Sequence, residues 1–176
     1  MPLRPRWAEG VARDWVRTGV GWDHVPTGRG SKRVARAGVA EREDALEQAP
    51  LFAGLPRRHL RALARVSGVA EYGDGMQVVK EGVAGTVFFV ILEGKARVVH
   101  KGRTVARLGK GDFFGELSLI DGGPRTADVI TDAPSRMLTL SRTEFRKLLA
   151  SEPALSGRLL ETLADRVRNL ERPPAG

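Results

Sequence analysis

The sequence predicts an α+β domain in which helices flank a β-rich core. Three observations predict it. Short β-branched and aromatic runs, each ended by glycine, fill the middle of the chain from Val69 to about Leu140. Helical patterns stand before and after that run. Hydrophobic residues make up 41% of the 176 positions, enough for one core of ordinary size plus an extension.

Order is expected from Glu41 onward. Glu43 to Ala49 suits a helix that Pro50 stops, and the apolar knot "PLFAGLP" follows with Leu51, Phe52 and Leu55. Pro56 takes the favoured first position of a second helix, whose apolar face is Leu60, Leu63 and Ala64. The runs "MQVVKEG", "TVFFVILEG", "KARVVHKG", "TVARLGKG", "ADVITD" and "SRMLTL" then read as strands. Their even spacing and glycine turns suggest an antiparallel sandwich or barrel. Phe88, Phe89 and Phe113 read as core. Ser141 and Glu144 form a capping-box signature for a helix carrying Phe145, Leu148 and Leu149. Pro153 opens the last helix, where Leu155, Leu159, Leu160, Leu163, Val167 and Leu170 read as one apolar stripe. The expected domain is residues 41–172, with residues 173–176 a disordered end.

Residues 1–40 have no sustained period and read as a disordered tail, apart from an isolated short helix near Ala8 to Arg17. Eight basic residues there face three acidic ones, so the tail carries +5 of the net +8. Such a tail can touch nucleic acid by phosphate contacts, so any nucleic-acid partner is expected through the tail only.

Composition narrows the chemistry. The chain has no cysteine, which excludes disulfides, thiolate catalysis and cysteine-ligated metal. His24, His59 and His100 stand too far apart for metal-ligand spacing, so no metal is expected. G-x-S-x-G and the P-loop are absent from the sequence, and the expectation is a binding protein, not an enzyme. No apolar run approaches the roughly 18 residues of a membrane span, and no secretory h-region is visible. A cytoplasmic location without membrane insertion is the default.

The stretch "GELSLIDGGPRTA", residues 115–127, carries the functional argument. Gly115 permits close approach or an unusual φ before Glu116. Residues 117–120 suffice for about one helical turn, whose first N–H groups attract anions. Gly122-Gly123-Pro124 turns the chain back to Arg125, a donor fork suited to phosphate oxygens. Thr126 adds a hydroxyl, and the Thr126 and Ala127 N–H groups are further donors. Like charge keeps Glu116 off a phosphate, but a carboxylate accepts well from a ribose hydroxyl. The requirements converge on a phosphorylated ribose.

Residues 112–129, "DFFGELSLIDGGPRTADV", closely resemble the phosphate-binding cassette of the cyclic-nucleotide-binding domain family. "PLFAGLP" resembles the family's short N-terminal helical motif, and "GMQVVKEGVAGTVFFVILEGKARVV" its strand-and-glycine framework. The match covers roughly residues 43–170. The resemblance implies an eight-stranded antiparallel β-roll flanked by helices. It assigns Glu116 to the ribose 2′-hydroxyl and Arg125 to the cyclic phosphate, with Gly115, Leu117, Thr126 and Ala127 completing the cassette. It places the base among Val98, Val105 and Leu108, under a terminal helix that contributes Leu163 and Val167. Asp128 departs from the family pattern, and its consequence depends on where its side chain points.

The implied function is a stand-alone cyclic-nucleotide sensor that signals by movement of its C-terminal helix. The ligand is cAMP or cGMP, and Thr126 leaves the base undecided. No helix-turn-helix, kinase, channel or acyltransferase signature accompanies the domain in this sequence, so the output partner is open. A homodimer through the C-terminal helix is one route. The alternatives are a regulator that associates with nucleic acid through its tail, and a degenerate interaction domain that binds no nucleotide.

Overall fold

The computed structural model describes residues 33–34 and 37–171. The expectations for residues 1–32 and 172–176, including the short helix near Ala8, lie outside the described residues.

Helix α1 (Val39–Gln48) starts four residues before the expected Glu43 and gives way to a 3-10 turn at Pro50–Phe52. Helix α2 (Arg57–Val66) follows, with Pro56 just outside it at the N-cap and not at its first position; Leu60, Leu63 and Ala64 are buried as the spacing predicts. The strands are β1 (Arg33–Val34), β2 (Gly68–Tyr72), β3 (Gln77–Val79), β4 (Val87–Glu93), β5 (Ala96–His100), β6 (Arg103–Leu108), β7 (Phe113–Phe114), β8 (Asp128–Thr131) and β9 (Ser135–Ser141). Between β7 and β8 lies the short helix α3 (Glu116–Asp121). Helix α4 (Arg142–Ser151) opens with the Ser141 hydroxyl accepting from the Glu144 N–H at 3.3 Å, the cap expected from sequence. Helix α5 (Pro153–Glu171) ends the described chain.

Two antiparallel sheets form the roll, one ordered β1-β2-β9-β4-β7 and the other β3-β8-β5-β6. Strands β2–β9 are the expected eight. The ninth, β1, lies within the segment read as tail and pairs Arg33 with Glu71 and Val34 with Ala70.

The near-continuous apolar run of β4 is explained by burial on both faces. Phe88, Val90 and Leu92 face a core shared with α1, α2, α4 and α5, where Phe88 stacks on Phe145 at 4.6 Å between ring centroids. Phe89 and Ile91 face the other way, into the space between the sheets, with Tyr72, Phe114, Val129 and Met137. Burial pushes the Tyr72 phenol pKa up. The first core fastens the helices to the roll; the second fixes the spacing of the two sheets. Among the described residues no helix is long and apolar enough to cross a membrane.

Candidate cyclic-nucleotide site

Strand β7 delivers the chain to Gly115, whose φ of +89° is costly for any residue with a Cβ. That turn sets Glu116 at the start of α3, where it is only 2% exposed. Arg125, just past the Gly122-Gly123-Pro124 turn, is 7% exposed. Its Nη1 donates to the Gly115 carbonyl at 2.8 Å and its Nη2 to the Val87 carbonyl at 2.6 Å. Its backbone N–H donates to the Val83 carbonyl at 2.8 Å, and its own carbonyl accepts from the Gly82 N–H at 2.8 Å. The arginine is thus stitched to the β3–β4 loop and to the cassette turn together.

Glycines make room for it. A Cβ on Gly85 would come within 2.1 Å of Arg125 Nε, and one on Gly115 within 2.6 Å of Nη1 and 2.9 Å of the Val87 oxygen. Real Cβ atoms do not approach so closely, so these two glycines shape the guanidinium slot.

The electrostatics suit an anion. Among the described residues no carboxylate forms an ion pair with Arg125, and its hydrogen bonds go to neutral carbonyls. Burial pushes its pKa down to about 10; Glu116 opposes that shift and the charge of Arg142 adds to it. A buried guanidinium short of negative charge is stabilised by any phosphate that reaches it.

Glu116 is engaged by α5. Its Oε1 lies 2.5 Å from Arg166 Nη1, while its buried Oε2 has no hydrogen-bond partner among the described residues. Arg166 Nη2 donates to the Phe113 carbonyl, and the guanidinium carbon sits 4.6 Å from the Phe113 ring centroid.

These features have a counterpart in known proteins. The family model for the cyclic nucleotide-binding domain matches residues 69–152. A solved cyclic nucleotide-binding domain from Methylobacillus flagellatus is 30% identical, with a TM-score of 0.62 over 75% of this chain and 79% of that one. The chain belongs to the cyclic nucleotide-binding domain family. It is also 31% identical over 131 residues to the CRP-like cAMP-activated global transcriptional regulator of Mycobacterium tuberculosis, covering 72% of this chain and 58% of that protein. The cAMP-dependent protein kinase regulatory subunit of Mycosarcoma maydis is 35% identical over 116 residues, 61% of this chain and 22% of that one. The chain therefore spans only part of the length of these curated relatives.

Within the cyclic nucleotide-binding fold, the structure brings Gly115, Glu116 and Arg125 together. Leu117 points its side chain outward, and Ala127 lies in the bend just before β8. The Thr126 carbonyl lies 2.9 Å from His100 Nδ1, and that nitrogen is 3.2 Å from Glu81 Oε1. The cassette's C-terminal side is thus braced by the β5–β6 hairpin. Asp128 answers to the same brace: its Oδ1 accepts from the Glu81 N–H at 2.6 Å. Its side chain holds the β3–β4 loop.

Of the five positions expected around the base, Val98, Val105 and Leu108 lie on the paired strands β5 and β6, and Leu163 and Val167 lie on α5. Val98 and Leu108 border the core between the sheets. Val105, on the edge strand β6, is 41% exposed, and Val167 is 54% exposed. Leu163 packs against the other core, with the helices. The expected apolar stripe of α5 is buried only in part. Leu155 and Leu159 are buried and Leu163 half-buried, but Leu160 and Val167 lie to the side of that face, exposed to solvent. The side chain of Leu170 is outside the described set. The inward face continues from Leu155 and Leu159 to Arg166, a residue that apolar patterning passes over. The signal was its place seven residues after Leu159, on the same helical face.

Proposed function

We propose that this domain binds cAMP or cGMP at Glu116 and Arg125 and works as a regulatory module whose signal leaves through α5. The observation that carries the reading is the buried pair itself. One carboxylate and one guanidinium flank the Gly115 turn, and among the described residues the Arg125 guanidinium has only carbonyl partners. A cyclic phosphate supplies the missing charge, and a ribose hydroxyl supplies a donor to the unpartnered Glu116 Oε2. Gly115, Leu117, Thr126 and Ala127 supply the surrounding backbone, and Val98 and Leu108 the wall nearest the base.

The role of α5 follows from its contact with Glu116. A helix bonded to the ribose acceptor feels any change at that carboxylate. The names of the relatives, a transcriptional regulator and a kinase regulatory subunit, support regulation over catalysis; a cytoplasmic setting is part of the same proposal. No cofactor beyond the nucleotide enters the reading.

Equilibrium titration with cAMP and with cGMP tests it. A ligand of about 22 heavy atoms at roughly 0.3–0.4 kcal/mol per atom gives a dissociation constant near the micromolar range. A folded protein that binds neither nucleotide at millimolar concentration ends the proposal.

A further inference from the structure

We propose that Arg142 is a positioning residue of the nucleotide site, acting on the walls around the phosphate and not on the phosphate itself. The inference rests on the cyclic-nucleotide reading above.

Arg142 is the first residue of α4. Its backbone N–H donates to the Thr86 carbonyl at 2.9 Å. Its Nη2 donates both to the Gly85 carbonyl at 3.0 Å and to the Ser118 carbonyl at 2.7 Å. Gly85 belongs to the β3–β4 loop and, lacking a Cβ, leaves the space that the Arg125 guanidinium fills. Ser118 lies in α3, two residues after Glu116, and is buried. One side chain therefore joins the loop that walls Arg125 to the helix that carries Glu116. Arg125 bonds to the chain on either side of that slot, at Val87 and at Gly115. Arg142 holds the outer edge of the same slot.

Charge strengthens the geometry. The Arg142 hydrogen bonds go to neutral carbonyls, and among the described residues no carboxylate forms an ion pair with it. Its charge reaches Arg125, where it opposes that group's protonation. Two guanidiniums close enough to repel are both favoured by an anion placed near them. The Arg142 Nε is buried and has no partner among the described residues, so the side chain is held by its Nη2 bonds. Without that Nη2, the Gly85 and Ser118 carbonyls lose a shared donor, the slot loosens, and the positive potential at the phosphate falls.

The test compares wild type, R142Q and R142K in the full chain. Affinities are measured for cAMP and cGMP, and for adenosine and guanosine, which keep base and ribose but carry no phosphate. R142Q should weaken cyclic-nucleotide binding by about tenfold or more, the equivalent of about 1.4 kcal/mol per tenfold. R142K keeps the charge but loses the rigid fork, so it should weaken binding by about two- to fourfold. Nucleoside affinity should change by less than about twofold in both, because the wall acts at the phosphate. If R142Q fails to fold, the nucleotide-to-nucleoside ratio of R142K decides alone. Undiminished nucleotide affinity in the folded variants, or nucleoside affinity falling in step with it, overturns the inference. A wild-type protein that binds neither cyclic nucleotide removes the underlying reading, and this inference with it, before any substitution is made.

Discussion

Arg166 Nη1 stands 2.5 Å from Glu116 Oε1, so the last helix of the domain is bonded to the buried carboxylate that we propose as the ribose acceptor. The carboxylate is almost wholly buried, and the arginine is about one-third exposed on its side-chain surface. Burying Glu116 without a counter-charge would be costly, so α5 stabilises the cassette as much as the cassette holds α5. The contact gives the helix a polar anchor in addition to its apolar ones, Leu155 and Leu159.

The first prediction concerns that pair. Arg166→Met should lower the melting temperature and make the end of α5 more sensitive to protease. A double-mutant cycle with Glu116→Gln should give a coupling of about 1–2 kcal/mol, reduced by the partial exposure of Arg166. Additive effects of the two substitutions would show that the contact does not link helix to cassette.

Arg125→Leu should weaken cyclic-nucleotide binding by about 2–4 kcal/mol, roughly 30- to 1000-fold, because it removes a charge-assisted fork from the phosphate. It also leaves the Gly115 and Val87 carbonyls without their donor, so a loss of about 1–3 kcal/mol in stability should accompany it. Glu116→Gln should cost less affinity, since the amide oxygen still accepts one ribose bond. Isothermal titration and denaturant melts on the same preparations measure both effects. Wild-type affinity in Arg125→Leu would remove this residue from the site.

Affinity should also depend on alkaline pH. The folded-state pKa of Arg125 is depressed to about 10, mainly by burial. Below that pH the protein bears the whole cost of the buried charge, and the cost is relieved as pH rises through 10 toward the ordinary arginine value. Arg125 on its own therefore makes the ligand-free fold more stable in that window. Binding has the opposite sign, because the anion needs the charged form. Cyclic-nucleotide affinity should be flat from neutrality to about pH 9 and fall by up to about tenfold per unit above pH 10. Titrations in matched ionic strength, on protein shown to be folded, check this; a profile just as flat beyond pH 11 would contradict it. Arg125→Leu should show no such break.

The two faces of α5 should respond differently to truncation of their side chains. Leu159→Ala empties a buried site and should cost about 2–5 kcal/mol. Val167→Ala, more than half exposed, should stay within about 0.5 kcal/mol. Chemical denaturation of the two variants measures the contrast. Equal costs would mean that α5 is not seated as described.

Much of this protein was legible in its sequence because the deciding physics is local. Strand periodicity in "TVFFVILEG", the Ser141 cap, the stop at Pro50 and the start at Pro153 each depend on neighbours a few residues away. The framing of Glu116 and Arg125 by Gly115, Gly122 and Gly123 is equally local, within thirteen consecutive residues, whereas Gly85 reaches Arg125 only through the fold. What the tertiary structure decided involves partners remote in the chain. Arg166 meets Glu116 across fifty residues, and His100 meets the Thr126 carbonyl across twenty-six. Arg142 reaches Gly85 across fifty-seven. Apolar spacing could not say which side of α5 faces inward, because Leu160 and Val167 fit the same period as Leu159. The core chose Leu155 and Leu159, and the buried charge of Glu116 then drew Arg166 onto their face. A helix's phase is set by what it packs against, and for α5 that is the roll and its cassette.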